Sequence, residues 1–355
     1  MLYREAGHFK TSYAADQAIF PIPQDRWAVF AILVAAFAVI PLIASDYWLV
    51  SILIPFLIFS RAALGLNILI GYAGQRALGT GGFTAGGAFA AYNLAIRLPA
   101  IPILGDFVRA GLIAALVGMV FGLPSLRIKG FYLAVTTLAA QFFIEWLFTR
   151  VGWFTNYSAS GVISAPPTVI LGFEFKSAAS RYLLTLAIVV VLALAAKNLV
   201  RGATGRAWMA IRDMDIAAEI VGIRPMQAKL SAFAVSSFIC GVAGALWAFL
   251  YIGTVEPQAF GIDRSFQVLF MVIIGGLGSI LGCFLGAAFI VLLPILLNNL
   301  STLVAGQAMS AGLLTHLELM IFGALIVFFL IVEPHGLARL WQIAKEKLRI
   351  WPFPH

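Results

Sequence analysis

Hydrophobic runs cover most of the chain, separated by short polar or glycine-rich breaks. They span approximately 27–45, 47–70, 77–96, 107–124, 131–149, 182–199, 229–252, 264–277, 280–300 and 314–333. A helix crosses the roughly 30 Å hydrocarbon layer in about 20 apolar residues at about 1.5 Å rise each, and most of these runs have that length. The pattern predicts an all-α integral membrane protein of about ten transmembrane helices. Gly275, Gly276 and Gly278 interrupt one long hydrophobic block, and dividing it there gives the even number of crossings that two termini on one side require. The flanking parts are a mixed-charge N-terminal tail, 1–26, and a C-terminal segment, 335–355, around a membrane unit over 27–334.

One long polar interruption stands out, 201–229, with the sequence RGATGRAWMAIRDMDIAAEIVGIRPMQAK. Taken as a single helix over 205–221, it places Ala207, Ala210, Ile211, Met214, Ala217, Ala218 and Val221 on one stripe. Arg212, Asp215 and Glu219 share the adjoining face. Gly222 supplies a C-terminal stop and Pro225 opposes continuation. Such a helix suits docking into another protein's groove, and the pattern fits equally a solvated amphipathic loop between two spans.

Composition agrees with the runs: 62% of residues are hydrophobic and 11% charged, which excludes an ordinary soluble domain. The net charge of +8 would be compatible with nucleic acid, but the basic residues sit in short segments between apolar runs, as membrane orientation produces. With both tails, the turns at 71–76 and 125–130 and the 201–229 loop on the cytosolic side, and Lys197 at the inner end of the 182–199 run, 16 of the 23 Lys and Arg lie inside. Arg97, Arg109, Arg150, Lys176, Arg181 and Arg264 fall outside, and Arg61 within a span. Both termini are therefore expected in the cytosol, and no nucleic-acid partner is. The first apolar run begins near Trp27 after a polar tail without a small-residue cleavage pattern, so no cleavable signal peptide is expected. Cys240 and Cys283 both lie in apolar runs and are expected to pack as small hydrophobes.

The outer loop 150–181 contains Trp153, Asn156, Tyr157, Ser160 and the Pro166–Pro167 pair, and could be a connector or a cap over an outer vestibule. In the C-terminal segment Leu337, Leu340, Trp341, Ala344 and Leu348 share a face, while Arg339, Lys345, Lys347 and Arg349 supply charge. This predicts a helix lying on the inner leaflet.

Two glycine-rich stretches fall inside membrane sequence. The first, GLNILIGYAGQRALGTGGFTAGGAFAAY over 65–92, holds Asn67, Gly74, Gln75, Thr80, and a Gly82-x-x-x-Gly86 spacing. The second, over 271–289, spaces Gly278, Gly282 and Gly286 by four, predicting a smooth face on one helix. Such breaks permit broken helices along a pathway or close helix approach, and the residues leave both roles open. The two stretches echo each other as the halves of an internal repeat would.

The string GRAWMAIRDMDIAAEIVGI resembles the coupling-helix motif of ABC importer permeases, most closely the branched-chain amino-acid permeases of the LivM type. The G-L-N turn, the G-x-x-G-Q break and the turn from Leu123, with Arg127 and Lys129 at its cytosolic end, resemble the same family. The resemblance runs from about Leu64 to the C-terminus. It implies that 201–229 inserts into a cleft on a cytosolic ATPase, through Gly205, Arg206, Ile211, Arg212, Asp215, Ala217, Ala218, Glu219 and Gly222. It further implies a second homologous permease chain, ATP-binding subunits that use ATP and Mg, an extracytoplasmic substrate-binding protein, surrounding membrane lipid, and a multi-pass location in a prokaryotic inner membrane. The substrate class implied is branched-chain amino acids, with urea or short amides as the alternative. Relatives commonly carry His where this chain has Thr80, a departure that bears on substrate preference or gating if the position faces the pathway.

No G-x-x-x-x-G-K-[ST], H-E-x-x-H or Cys–His metal spacing occurs in the sequence. The chain is therefore expected to bind no cofactor or metal and to be a transport subunit, not an enzyme. An ion-coupled carrier would need an intramembrane relay, for which Arg61, Glu145, His316 and Glu318 are scattered candidates without helical i, i+4 spacing. Arg61 is expected to snorkel or sit at the interface.

Overall fold

The computed structural model describes residues 11–12, 19, 23–99, 102–125, 132–158, 160–170, 172–305, 311–332 and 336–350. Arg127 and Lys129, most of the 1–26 tail and the last residues of the C-terminal segment lie outside the described residues. Helix α1 runs from Pro23–Val34 through a π-helical turn, Ala35–Val39, into Ile40–Ile43. It is followed by α2 (Trp48–Tyr72), α3 (Thr80–Arg97), α4 (Ile103–Ser125), α5 (Tyr132–Arg150) and α6 (Ala178–Arg201). Two short helices come next, α7 (Ala203–Asp213) and α8 (Asp215–Ile220). The chain then returns through α9 (Pro225–Ile252), α10 (Ile262–Gly275), α11 (Ile280–Ala305), α12 (Ala311–Val332) and α13 (Gly336–Ile350).

Among the described residues seven helices are long and apolar enough to cross a membrane: α1, α2, α4, α5, α6, α9 and the Ile280–Asn299 part of α11. The other three apolar runs are helical too. α3 has its hydropathy diluted by glycines, threonines and Asn93. α10 has 14 residues, about 21 Å at 1.5 Å each, less than the hydrocarbon thickness. α12 contributes a shorter apolar stretch, Leu319–Phe329. The expected run at 77–96 begins as helix only at Thr80, because 74–79 is non-helical.

Helices α2 and α9 form the centre, with 78% and 83% of their apolar stretches buried, against 0% for α1. Large apolar side chains on α1 and α4 point outward, among them Trp27, Leu42, Leu116 and Val120, as lipid-facing surface requires. Lipid tails are as apolar as leucine, so helix association here depends on close packing and buried hydrogen bonds. The tightest crossing joins α3 to α9: a Cβ on Gly87 would strike the Gly241 backbone, and one on Gly244 would strike the Thr84 backbone. The spacing Gly82-x-x-x-Gly86 does not make this approach. Gly82 lies against Gln141 on α5, and Gly86 faces open space.

The second glycine stretch is also rearranged. Gly282 and Gly286 pack against the α10 backbone at Gly275 and Met271, but Gly278 sits in the turn before α11 with φ +74°. The predicted three-glycine face is therefore a two-glycine face preceded by a left-handed turn. Loop 150–181 is ordered by short strands. Ile163–Ser164 pairs antiparallel with Thr254–Val255, and Val169–Ile170 pairs with Phe173–Glu174. Helix α13 packs on α10 and α11 and is tied to α1 by Lys345 Nζ and Asp25 Oδ1 at 3.2 Å. Leu340 and Trp341 remain exposed.

Candidate coupling surface and membrane-core cavity

The 201–229 segment is two helices and not one. Met214 adopts φ −158°, ψ 96° and separates α7 from α8. Helix α7 is fastened to the membrane bundle. Trp208 is fully buried and its Nε1 donates to Ser231 Oγ on α9 (2.9 Å), while Ser231 Oγ donates to the Ala228 carbonyl (2.8 Å). Ile211 is buried beside it. A side chain at Gly205 would collide with the Val200 backbone, so glycine is what lets α6 turn sharply into α7. Arg206 Nη1 donates to the Arg201 carbonyl at the same corner (2.9 Å).

Helix α8 is the opposite. Only Ala218 is buried, Asp215 is half-buried, and Ala217, Glu219 and Gly222 are exposed. Gly222 closes the element at φ +94°. The outward surface consists of Met214, Ile216, Ile220 and Val221, the last two more than 80% exposed. These large side chains, and not the alanine stripe expected from a continuous helix, are what the segment presents. The break at Met214 rotates α8 relative to α7 and splits the predicted stripe.

Arg212 joins this surface to the centre of the bundle. Its Nη1 donates to the Gly71 carbonyl at the end of α2 (2.8 Å), and its Nε pairs with Asp213 Oδ1 (2.9 Å). Its side chain also packs on Gly74, which has φ +67°. Gly71 in turn lies against the Gly278 backbone, so the two glycine breaks meet here. Asn67, wholly buried one turn up α2, closes the junction. Its Oδ1 accepts from Gly278 N (2.9 Å), and its Nδ2 donates to the Ser279 carbonyl (3.0 Å) and toward Cys283 Sγ (3.2 Å). Asn67, Gly74 and Gly278 thus form a clamp between α2, α7 and α11. Gln75 bonds only locally, to the Ala73 carbonyl (3.3 Å).

Thr80 starts α3 inside the bundle and lines a narrow cavity with Ile58, Gly81, Trp247, Arg264 and Val268. The α3 terminus is capped from two other helices. Gly81 N donates to Ser265 Oγ on α10 (2.8 Å), and Gly82 N donates to Gln141 Oε1 on α5. Gln141 also donates to the Phe260 carbonyl (2.8 Å), linking α5 to the segment before α10. Arg264, expected on the outer side at the start of the 264–277 run, lies in the first turn of α10, over the rings of Trp247 (4.8 Å) and Phe59 (5.4 Å). Sequence reasoning missed this contact because the two rings come from α9 and α2, and nothing local to Arg264 marks them.

Arg61 does not snorkel. It is 1% exposed, and none of its three guanidinium nitrogens finds a hydrogen-bond partner among the described residues. His316 is exposed on α12, Glu145 is half-buried on α5, and the Glu318 side chain lies outside the described residues. The structure does not bring these groups together with Arg61. Cys240 and Cys283 are free and buried, packed as small hydrophobes.

A bundle with seven helices long and apolar enough to cross a membrane among the described residues defines a multi-pass membrane protein, and the family match makes it a transport permease subunit. Comparison with known proteins places it further: residues 48–330 match the family described as branched-chain amino acid transport system / permease component, and the chain belongs to that family. It is 31% identical over 309 residues to the high-affinity branched-chain amino acid transport system permease protein LivM of Escherichia coli, covering 79% of this chain and 68% of that protein. The LivM protein of Salmonella typhimurium is 29% identical with the same coverage. A probable LivM of Methanocaldococcus jannaschii is 24% identical over 72% of this chain and 76% of its own. No solved structure matches.

Proposed function

We propose that the chain forms half of the translocation pathway of an ABC importer for branched-chain amino acids, with α8 docking on a separate ATPase. The observation that carries this reading is the exposed apolar surface Met214, Ile216, Ile220 and Val221, with Glu219 among them, tied through Arg212 to the end of the central helix α2. An apolar patch with a charged group suits a partner's groove, and the Arg212 bond gives a shift of α7 and α8 a direct route into the membrane core. Gly205, Arg206 and Ile211 act in this reading as the fixed base of the lever. Asp215, Ala217, Ala218, Glu219 and Gly222 form or shape the docking end.

In the same reading the apolar runs make ten crossings with both ends in the cytosol, the bilayer is a prokaryotic inner membrane, and the ordered 150–181 loop faces an extracytoplasmic binding protein. A second permease completes the pathway, and ATP with its Mg is used by the partner chains. Thr80 and the cavity it lines lie along the route, where the departure from the relatives' His tunes preference. The test is uptake of labelled leucine and of labelled urea in cells with and without the chain. Loss of leucine uptake on deletion, restored by the gene, supports the reading. Loss of urea uptake alone replaces the substrate, and unchanged leucine uptake contradicts the proposal.

A further inference from the structure

A cavity of about 600 Å³ lies between α3, α4 and α5, away from the coupling surface and from the Thr80 cavity. Its walls are apolar: Phe89, Leu94, Val117, Phe143 and Leu147 are representative. The amide of Asn93 is committed to the Phe89 and Phe154 carbonyls (2.8 and 3.1 Å). Gly86 forms part of the wall, and a Cβ there would meet no heavy atom within 4 Å. Leu116 and Val120 are exposed along the α4 rim, so the trough opens on the surface that faces lipid.

Two of the three helices, α3 and α4, set an arginine at one end of this trough. α3 and α5 run side by side in one direction, with Gly82 on Gln141 and Phe89 stacked on Phe148. α3 ends at Arg97, which lines the trough, while α4 begins there and carries Arg109 one turn before the lining residue Ile113. Arg97 lies 3.5 Å over the Trp153 ring and donates to the Trp153 carbonyl (2.8 Å), which fixes its charge at the mouth. Of the other charged groups nearby, Asp106 is buried and interacts with Arg109, while Glu145 and Arg150 both line a different cleft. The mouth keeps a positive excess.

We propose that the trough holds one acyl chain of an anionic phospholipid, its phosphate at the arginine end. Basic residues at the end of an interhelical pocket are the arrangement that captures anionic headgroups, and a tryptophan beside them marks the headgroup level. A protein helix fits less well. At roughly 10 Å across it would fill such a volume with only about five residues, and it would bring no anion to the two arginines.

The experiment uses the assembly as purified in mild detergent, delipidated and exposed to vesicles of phosphatidylglycerol or of phosphatidylcholine, with retained lipid counted by native mass spectrometry. Phosphatidylglycerol should be retained at least tenfold over phosphatidylcholine, near one per chain. Gly86→Leu, which fills the trough without a clash, should lower retention at least fivefold. Arg97→Ala with Arg109→Ala should erase the preference, and Arg97→Lys should keep it while the sample stays monodisperse. Equal retention of both lipids would overturn the proposal. So would unchanged retention in Gly86→Leu, or a photo-cross-linker at Val117 that captures a protein chain instead of lipid.

Discussion

Replacing Arg212 by methionine isolates the link between the amphipathic helices and the bundle. Methionine keeps the unbranched, helix-compatible stem that packs on Gly74 but removes the guanidinium, whose Nη1 donates to the Gly71 carbonyl at 2.8 Å. A hydrogen bond from a charged donor is worth about 1.5–3 kcal/mol when the acceptor is left without a replacement. The ion pair with Asp213 adds little, because its partners are 36% and 65% exposed and such pairs give about 0–1 kcal/mol. The equilibrium between α7 held against α2 and α7 released should therefore shift roughly 10- to 150-fold toward release, since about 1.4 kcal/mol is tenfold. Membrane insertion should be unaffected, because Trp208 and Ile211 still anchor α7. The assay is uptake by cells carrying equal amounts of the two chains, with trypsin cleavage in 201–229 on inverted vesicles as the structural readout. Reduced uptake with faster cleavage is expected. Uptake and cleavage both at the wild-type level would refute the reasoning, since the bond would then carry no mechanical role.

Three further substitutions probe other parts of the account. Gly282→Leu would press a side chain onto the Gly275 carbonyl, 2.6 Å from an ideal Cβ, and should destabilise by about 1–3 kcal/mol. Gly323→Leu, where a Cβ meets nothing within 4 Å, is the control, and thermal aggregation in detergent reads both. Glu219→Arg should abolish uptake while leaving insertion and thermal stability intact, because Glu219 is exposed on α8. Normal uptake would remove it from the docking surface. Arg61→Met should raise thermal stability, by about 1 kcal/mol or more, because it deletes a buried cation without a hydrogen-bond partner. A marked loss of stability would mean that an anion held by Arg61 supports the fold.

Much of the architecture was legible because a bilayer demands long apolar helices, and all ten predicted runs are helical. The hidden features arise from tertiary contacts. Arg212 and Met214 are good helix formers, and Asp213 and Asp215, which favour caps and turns, were the only local sign of a break in the Arg212–Asp215 string; the contact of Arg212 with Gly71 has no local trace. The Gly82-x-x-x-Gly86 spacing was a reasonable packing signal, yet the close approach is made at Gly87, opposite Gly241, and at Thr84, opposite Gly244. Asn67 lay within a motif, but its clamp on Gly278 and Ser279 spans more than 200 positions and has no local trace. Arg61 was expected to snorkel or sit at the interface, and it is instead buried by the helices packed around α2, which periodicity along α2 alone does not report.

The most direct test of the central claim is leucine uptake into proteoliposomes containing the chain together with whatever co-purifies from its native membrane. ATP on the side that exposes α8, at zero ion gradient and with the binding protein supplied, should drive uptake, and the Glu219→Arg assembly should show none. Uptake by this chain alone, driven by an ion gradient and indifferent to ATP, would contradict the account and turn attention to Arg61 and Arg264 in the membrane core.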